Sequence, residues 1–324
     1  MKFPVPLSLS SVAALIHAEI IGNAAAEAHG INEIHKVEQG DICFVDHPKY
    51  YDKCLMSDAT HIIINTKDVI VPEGKNLLVT DEPFEAYLTI VNKFRPFAAA
   101  EKMIDDTAVI GEGTIIMPNV FIGKEVKIGS NCIIHPNVCI HAYTEIGNNV
   151  IIQSGTVIGG DAFYYNTKKS RDVWYKKMQS CGNVHIEDDV EIGACCTIDR
   201  GVTATTFIGR GTKMDNMVHI GHDNYIGRNC LFAAQVGIAG GCMVEDGVTL
   251  WGQVGVNKTI HLGTGAVAMG RAGITASMEA GKSYFGYPAQ ETKTFMKELV
   301  WIKRIPELWQ KVRNLEIKNG DNGQ

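Results

Sequence analysis

The densest run of chemically capable residues lies at positions 215–224, DNMVHIGHDN, with two histidines and two aspartates in ten residues. His222 precedes Gly240 by eighteen positions. An imidazole is the side chain best matched to proton transfer near neutral pH. A backbone N–H with no side chain in front of it can hold a developing oxyanion. Together they meet the needs of acyl transfer in which an amine or hydroxyl attacks a thioester directly, with no serine or cysteine nucleophile. The plainer reading, a surface histidine at a turn, competes with it. His219, in the same run, is the neighbouring candidate for substrate binding.

What makes eighteen meaningful is the pattern around it. Nine isoleucines recur every six residues from Ile110 to Ile158. The register breaks, resumes at Ile186, Ile192 and Ile198, slips by four, and continues from Ile208 to Ile274. Small or β-branched residues precede many of these by two, and glycine often follows by one. A period of six with apolar residues at i and i−2 fits neither a helix nor a heptad. It fits a short strand with two inward residues, then a turn, three times per coil. The predicted fold is therefore mainly β: a hexapeptide-repeat parallel β-helix, a triangular prism of eight coils about 40 Å long. An antiparallel sandwich is the bland alternative, and nine isoleucines in step argue against it. Glycine after the aliphatic residue is expected to serve the turn conformation at a corner. On this frame His222 lies at a corner and Gly240 one strand spacing above it.

The same frame argues against a metal. The spacing from His219 to His222 suits a helix, but here the two straddle a corner with no third ligand in phase. His135 and His141 fall on different faces, which leaves only a site assembled between subunits. Cys132, Cys195 and Cys242 read as core packing. Asp199 and Arg200 read as an ion pair without an assigned role.

Three segments depart from the period. Residues 1–100 form a small α/β domain, with a helix capped at Ser10, strands over 41–45, 61–65 and 77–79, and a helix over 81–94. The prism then takes residues 101–282. Residues 160–184, polar, basic and aromatic, read as a functional loop thrown out of it, and residues 203–206 as a simple coil bulge. Residues 283–324 are helical, with Phe295, Leu299, Ile302 and Ile305 on one stripe, a break or kink at Pro306, and a second helix through Leu308, Val312 and Leu315. Seven Lys/Arg against four Glu over residues 289–318 give this tail a net +3. It suits either a solvated helix packing on neighbouring subunits or the docking of an acidic protein.

Composition removes other classes. With 45% hydrophobic and 20% charged residues in a chain of 324, disorder is excluded as the main state. The net charge of −6 asks for no nucleic acid. No apolar window is long enough to span a membrane, and the N-terminus lacks a signal-peptide layout. Nine cysteines without a CxxC pair fit reduced thiols and a cytoplasmic location.

At this point the motifs DICFVDHPKYYDKCL, IQSGTVIGGDAFYY and DDVEIGACCTIDRGV, followed by DNMVHIGHDNYIG, resemble the UDP-3-O-(3-hydroxyacyl)glucosamine N-acyltransferases of lipid A biosynthesis over nearly the whole chain. The resemblance implies a left-handed β-helix with C-terminal α-helices and a homotrimer with active sites between prisms. It also implies a 3-hydroxyacyl donor carried on the phosphopantetheine of acyl carrier protein, and no separate cofactor. It assigns His222 as general base, Gly240 as oxyanion donor and Asp215 as the acidic residue orienting the histidine. Phe44 and Tyr50 are implied to sandwich the uracil of a UDP-sugar. His47 stands where the family has an asparagine that reads the uracil edge, and Thr259 where it has a second histidine, with His261 nearby at a different phase. The segment GGDAFYY has fewer glycines than the family pattern. These departures admit a paralogue acting on another UDP-sugar amine or hydroxyl. A β-helix metal enzyme or an inactive scaffold is the remaining alternative.

Overall fold

The computed structural model describes residues 1–286 and 292–320. Residues 1–285 form one compact unit and residues 286–324 a second. The α/β domain, the prism and its last strand, Ser283–Tyr284, lie within the first unit.

The N-terminal part opens on strand β1 (Lys2–Ser8), where the sequence suggested only a helix. Helix α1 (Leu9–Ile16) is capped by Ser8, whose hydroxyl accepts from Ser11 N–H, and not by Ser10. Strands β2 (Glu19–Ile21), β3 (Glu27–Ile31), β4 (Asp41–Val45), β5 (His61–Ile64) and β6 (Asn76–Val79) follow, with α2 (Tyr51–Leu55) and α3 (Pro83–Phe94). The sheet order is β1-β3-β4-β5-β6-β2. Leu9, Ile31, Ile42, Ile63, Leu78, Phe84, Tyr87 and Ile90 fill the layer between sheet and helices.

The prism has three faces of eight, nine and eight parallel strands. Inward residues pair one coil apart, as in Ile134↔Ile152 or Ile220↔Ile238. The stacked Ile, Val, Leu and Cys side chains form one continuous core. Each fully buried aliphatic contributes roughly 1.5–3 kcal/mol of transfer free energy. The cysteine facing inward near position 195 is Cys196, and Cys195 is exposed.

The corners correct one expectation. Glycines such as Gly111 and Gly129 do not take positive φ. A β-carbon on Gly129 would lie 2.5 Å from the Gly147 carbonyl oxygen of the next coil. They are required by close stacking, and the left-handed turn falls two residues later. Asn131, Asn137, Asn149 and Asp223 occupy it at φ 58°, 62°, 57° and 56°. Asn and Asp tolerate this conformation better than other side chains.

The two interruptions do more than interrupt. Residues 160–184 contain an antiparallel hairpin, Tyr165–Thr167 with Tyr175–Lys177. It lies against the N-terminal domain: Ala162, Met178 and Cys181 are buried in that domain's core. Asn166 donates to Asp46 at 3.1 Å, and Lys168 and Lys176 pair with Glu82 and Glu85 at 2.6 Å each. The slip expected to be a mere bulge is a second dock, for Val202 joins the same core and the Thr203 hydroxyl accepts from Glu33 N–H at 3.0 Å.

In the second unit the expected pair of helices is one continuous helix, α4 (Thr292–Gly320), with Pro306 inside it. Trp301, Ile302, Ile305, Leu308, Trp309 and Leu315 are exposed along it.

Candidate active site

His222 sits one residue before a left-handed corner, and the corner residue holds it. Asp223 turns its carboxylate back so that His222 Nδ1 lies 2.8 Å from Asp223 Oδ2. The same carboxylate accepts from Val202 N–H at 2.9 Å and Ala204 N–H at 3.2 Å. Asp223 itself is buried. A carboxylate so fixed accepts a hydrogen bond from Nδ1–H and leaves the Nε2 lone pair for chemistry. Asp215, expected in this role, does not reach the imidazole; its carboxylate accepts from Asn216 N–H on another corner. Two aspartates flank the histidine in the sequence, and the left-handed φ at 223 decides which one faces it.

Gly240 lies where the coil period puts it. Gly241 N–H donates to the His222 carbonyl at 2.9 Å. A β-carbon on Gly240 would stand 2.3 Å from His222 Nε2. No side chain fits between that backbone and the imidazole. Among the described residues the Gly240 N–H meets no acceptor.

Three further groups act on the imidazole, and His219 stands beside one of them. The Tyr164 ring packs on it at a centroid distance of 5.4 Å and an interplanar angle of 88°. Glu33, from the N-terminal domain, faces the Tyr164 hydroxyl; burial and the neighbouring Asp223 charge push its carboxyl up to about 7. Asp199 lies 4.0 Å from His219 Nε2, and burial raises its carboxyl. His219 is tied through Nδ1 to the Thr197 hydroxyl at 2.7 Å. Burial pulls the His222 imidazole down, but Asp223, Glu33 and Asp199 outweigh it and hold its pKa above the ordinary histidine value. Sequence reasoning missed Tyr164, Glu33, Asp199 and Asp223. Only Asp223 had a local signal, its adjacency to His222. Arg200 pairs with Asp161 at 3.9 Å, and not with Asp199.

The expected nucleotide face is partly assembled. Phe44, at the end of β4, packs on Tyr87 and Phe84 at centroid distances of 5.1 and 6.1 Å. Tyr50 is 48% exposed and meets the His47 ring at 5.9 Å. The Phe44 and Tyr50 rings make no mutual contact among the described residues. His47 caps the short turn before α2, its Nδ1 accepting from Lys49 N–H at 3.2 Å, which leaves Nε2 for a ligand. Thr259 stacks beyond Gly240, donating its N–H to the Gly240 carbonyl at 3.1 Å, whereas His261 is held by Glu245 at 2.8 Å outside the cluster. Among the described residues no three metal-ligating side chains converge.

Comparison with known proteins bears on this geometry. Residues 26–93 match the family model described as UDP-3-O-(3-hydroxymyristoyl) glucosamine N-acyltransferase, LpxD. Residues 107–142 match the bacterial transferase hexapeptide model of six repeats. A UDP-3-O-acylglucosamine N-acyltransferase from Campylobacter lari is 35% identical over 90% of this chain and 96% of its own length. The chain belongs to the UDP-3-O-acylglucosamine N-acyltransferase family. Its relative from Methylobacterium sp. (strain 4-46) is 32% identical over 94% of both chains, so the family relation spans the α/β domain as well as the prism. Among solved structures, LpxA from Bacteroides fragilis, a UDP-N-acetylglucosamine acyltransferase, aligns over 59% of this chain and 71% of its own. It does so at a TM-score of 0.50 and 26% identity.

Proposed function

We propose that this protein transfers a 3-hydroxyacyl group from acyl carrier protein to the amine of a UDP-3-O-acyl-glucosamine in lipid A biosynthesis, with His222 as general base. The observation that carries the reading is the stack of His222 on Gly240, with Nδ1 fixed by Asp223 and Nε2 against a backbone that has no side chain. The neutral sugar amine attacks the thioester carbonyl carbon, and His222 Nε2 takes the N–H proton as the C–N bond forms. The carbonyl oxygen becomes an oxyanion, for which the Gly240 N–H is the donor at hand. Collapse breaks the C–S bond, and the leaving phosphopantetheine thiolate recovers the proton from the imidazolium. Asp223 stabilises that imidazolium without taking its proton.

The amine is brought there by the nucleotide end, for which Phe44, His47 and Tyr50 are the proposed contacts, with His219 nearer the sugar. The active molecule is proposed to be a homotrimer. The basic bias of α4 suits an acidic carrier protein, and nine free thiols suit the reducing cytoplasm. The test is turnover of acyl carrier protein thioester with UDP-3-O-acyl-glucosamine by His222→Ala. Product is expected to fall to background while the oligomer persists. Undiminished turnover would overturn the assignment.

A further inference from the structure

Asp223 fixes one nitrogen of His222, but a single hydrogen bond along Nδ1–H leaves the ring free to tilt about that axis. The Gly240 backbone bounds the ring from one side, where a β-carbon would come within 2.3, 2.5 and 2.7 Å of Nε2, Cε1 and Cδ2. The remaining side is closed by Tyr164, whose ring stands at 88° to the imidazole with centroids 5.4 Å apart. Perpendicular packing at that distance is a favourable aromatic geometry and one that resists tilting.

Tyr164 can act as a stop because it is itself held. Its N–H donates to the Ala162 carbonyl at 2.9 Å, and its carbonyl accepts from Met178 N–H at 3.0 Å. Ala162 and Met178 are buried in the N-terminal core. The hairpin that follows is fastened to the same domain through Asn166–Asp46 and Lys176–Glu85. The tyrosine hydroxyl faces Glu33, also from that domain.

We infer that Tyr164 is a positioning residue for the acyl transfer: its ring, carried on a strut built from the inserted loop and the N-terminal domain, sets the plane of the His222 imidazole. The inference rests on His222 being the base. Its consequence is that the α/β domain helps shape the catalytic centre through a side chain belonging to neither the coil repeat nor the substrate-contact set.

The experiment compares Tyr164→Leu, Tyr164→Met and Tyr164→Phe with the full-length protein. A misplaced base loses on the order of 10–100-fold in rate. The Leu and Met variants are therefore expected to lose at least about 10-fold in kcat, with KM for the UDP-sugar near the parent value. Phe, which keeps the ring, is expected to recover most of the loss. The His222 resonance in histidine-labelled protein is expected to move in Leu and Met as the ring current is removed. The inference is overturned by a folded Leu or Met variant with parental kcat, by KM and kcat failing together, or by Phe as impaired as Leu. His222→Ala assayed alongside keeps the two readings apart. An active His222→Ala removes the base assignment, whereas an inactive one beside an unimpaired Tyr164→Leu removes only the role of Tyr164.

Discussion

At the scale of single residues, the site is a histidine whose three neighbours each remove one freedom. Gly240 is the most sharply constrained. Its substitution by alanine puts a β-carbon at 2.3 Å from His222 Nε2, so the imidazole must swing away. Gly240→Ala is expected to fold normally and to lose about 100-fold in kcat, checked by steady-state kinetics beside a thermal melt. Asp223→Asn removes the charge that raises the His222 pKa. The base then loses its proton at lower pH, so the acid limb of the kcat/KM profile should move downward while the plateau falls. Asparagine would also turn an amide toward the Val202 or Ala204 N–H, and the loss of that bond should cost about 1–3 kcal/mol in a denaturant titration. A profile with its acid limb unmoved would contradict the ion pair.

At the scale of elements, the prism supplies distances and the interruptions supply partners. The inserted loop and the four-residue slip are adjacent in space. Gly182 N–H donates to the Gly201 carbonyl at 3.1 Å. A β-carbon on Gly182 would lie 1.9 Å from the Ala204 carbonyl oxygen, a backbone atom that cannot rotate away. Gly182→Ala is therefore expected to destabilise the protein by at least about 1–3 kcal/mol. Activity should fall with it, since the displaced backbone includes the N–H groups that hold Asp223. The exposed pair Lys176–Glu85 gives the contrast. Lys176→Ala should cost no more than about 1 kcal/mol, because solvent screens a pair of which each partner is nearly half exposed. Calorimetry on the two variants checks the order.

At the scale of the whole molecule, the N-terminal domain and the prism share a half-buried acid. Glu33 holds its proton up to about pH 7 in the folded protein, against an ordinary value of 4.5. A carboxyl with a raised folded pKa favours the fold while protonated, and that contribution is lost as pH rises from about 4.5 through about 7. The His222 imidazole, also raised, adds a loss of the same sign above its ordinary range. Glu33→Gln removes the first of these. Its melting temperature relative to the parent is expected to climb between pH 5 and pH 8. A difference constant with pH would show that Glu33 does not titrate there.

Much of this molecule was readable from the order of its residues. The coil was, because inward isoleucines at a fixed interval can stack only if each turn repeats, and every pairing register follows from that. His222 over Gly240 follows from the same interval. So do β4, β5, β6 and α3, whose hydrophobic patterns are local. Choices between equals were not readable. Asp215 and Asp223 are chemically alike, and only the left-handed corner turns one of them toward the imidazole. Gly129 looked like a turn residue, and only the stacked coil above it shows that it is a spacer. Tyr164, Glu33 and Thr203 lie far apart in sequence and belong to no repeat. Tyr164 and Glu33 meet at His222, and Thr203 meets Glu33, because the inserted loop and the slip fold back onto the N-terminal domain. Periodicity fixes what happens within a coil, whereas contacts between non-repeating segments depend on packing free energy summed over the whole fold, which no local pattern records.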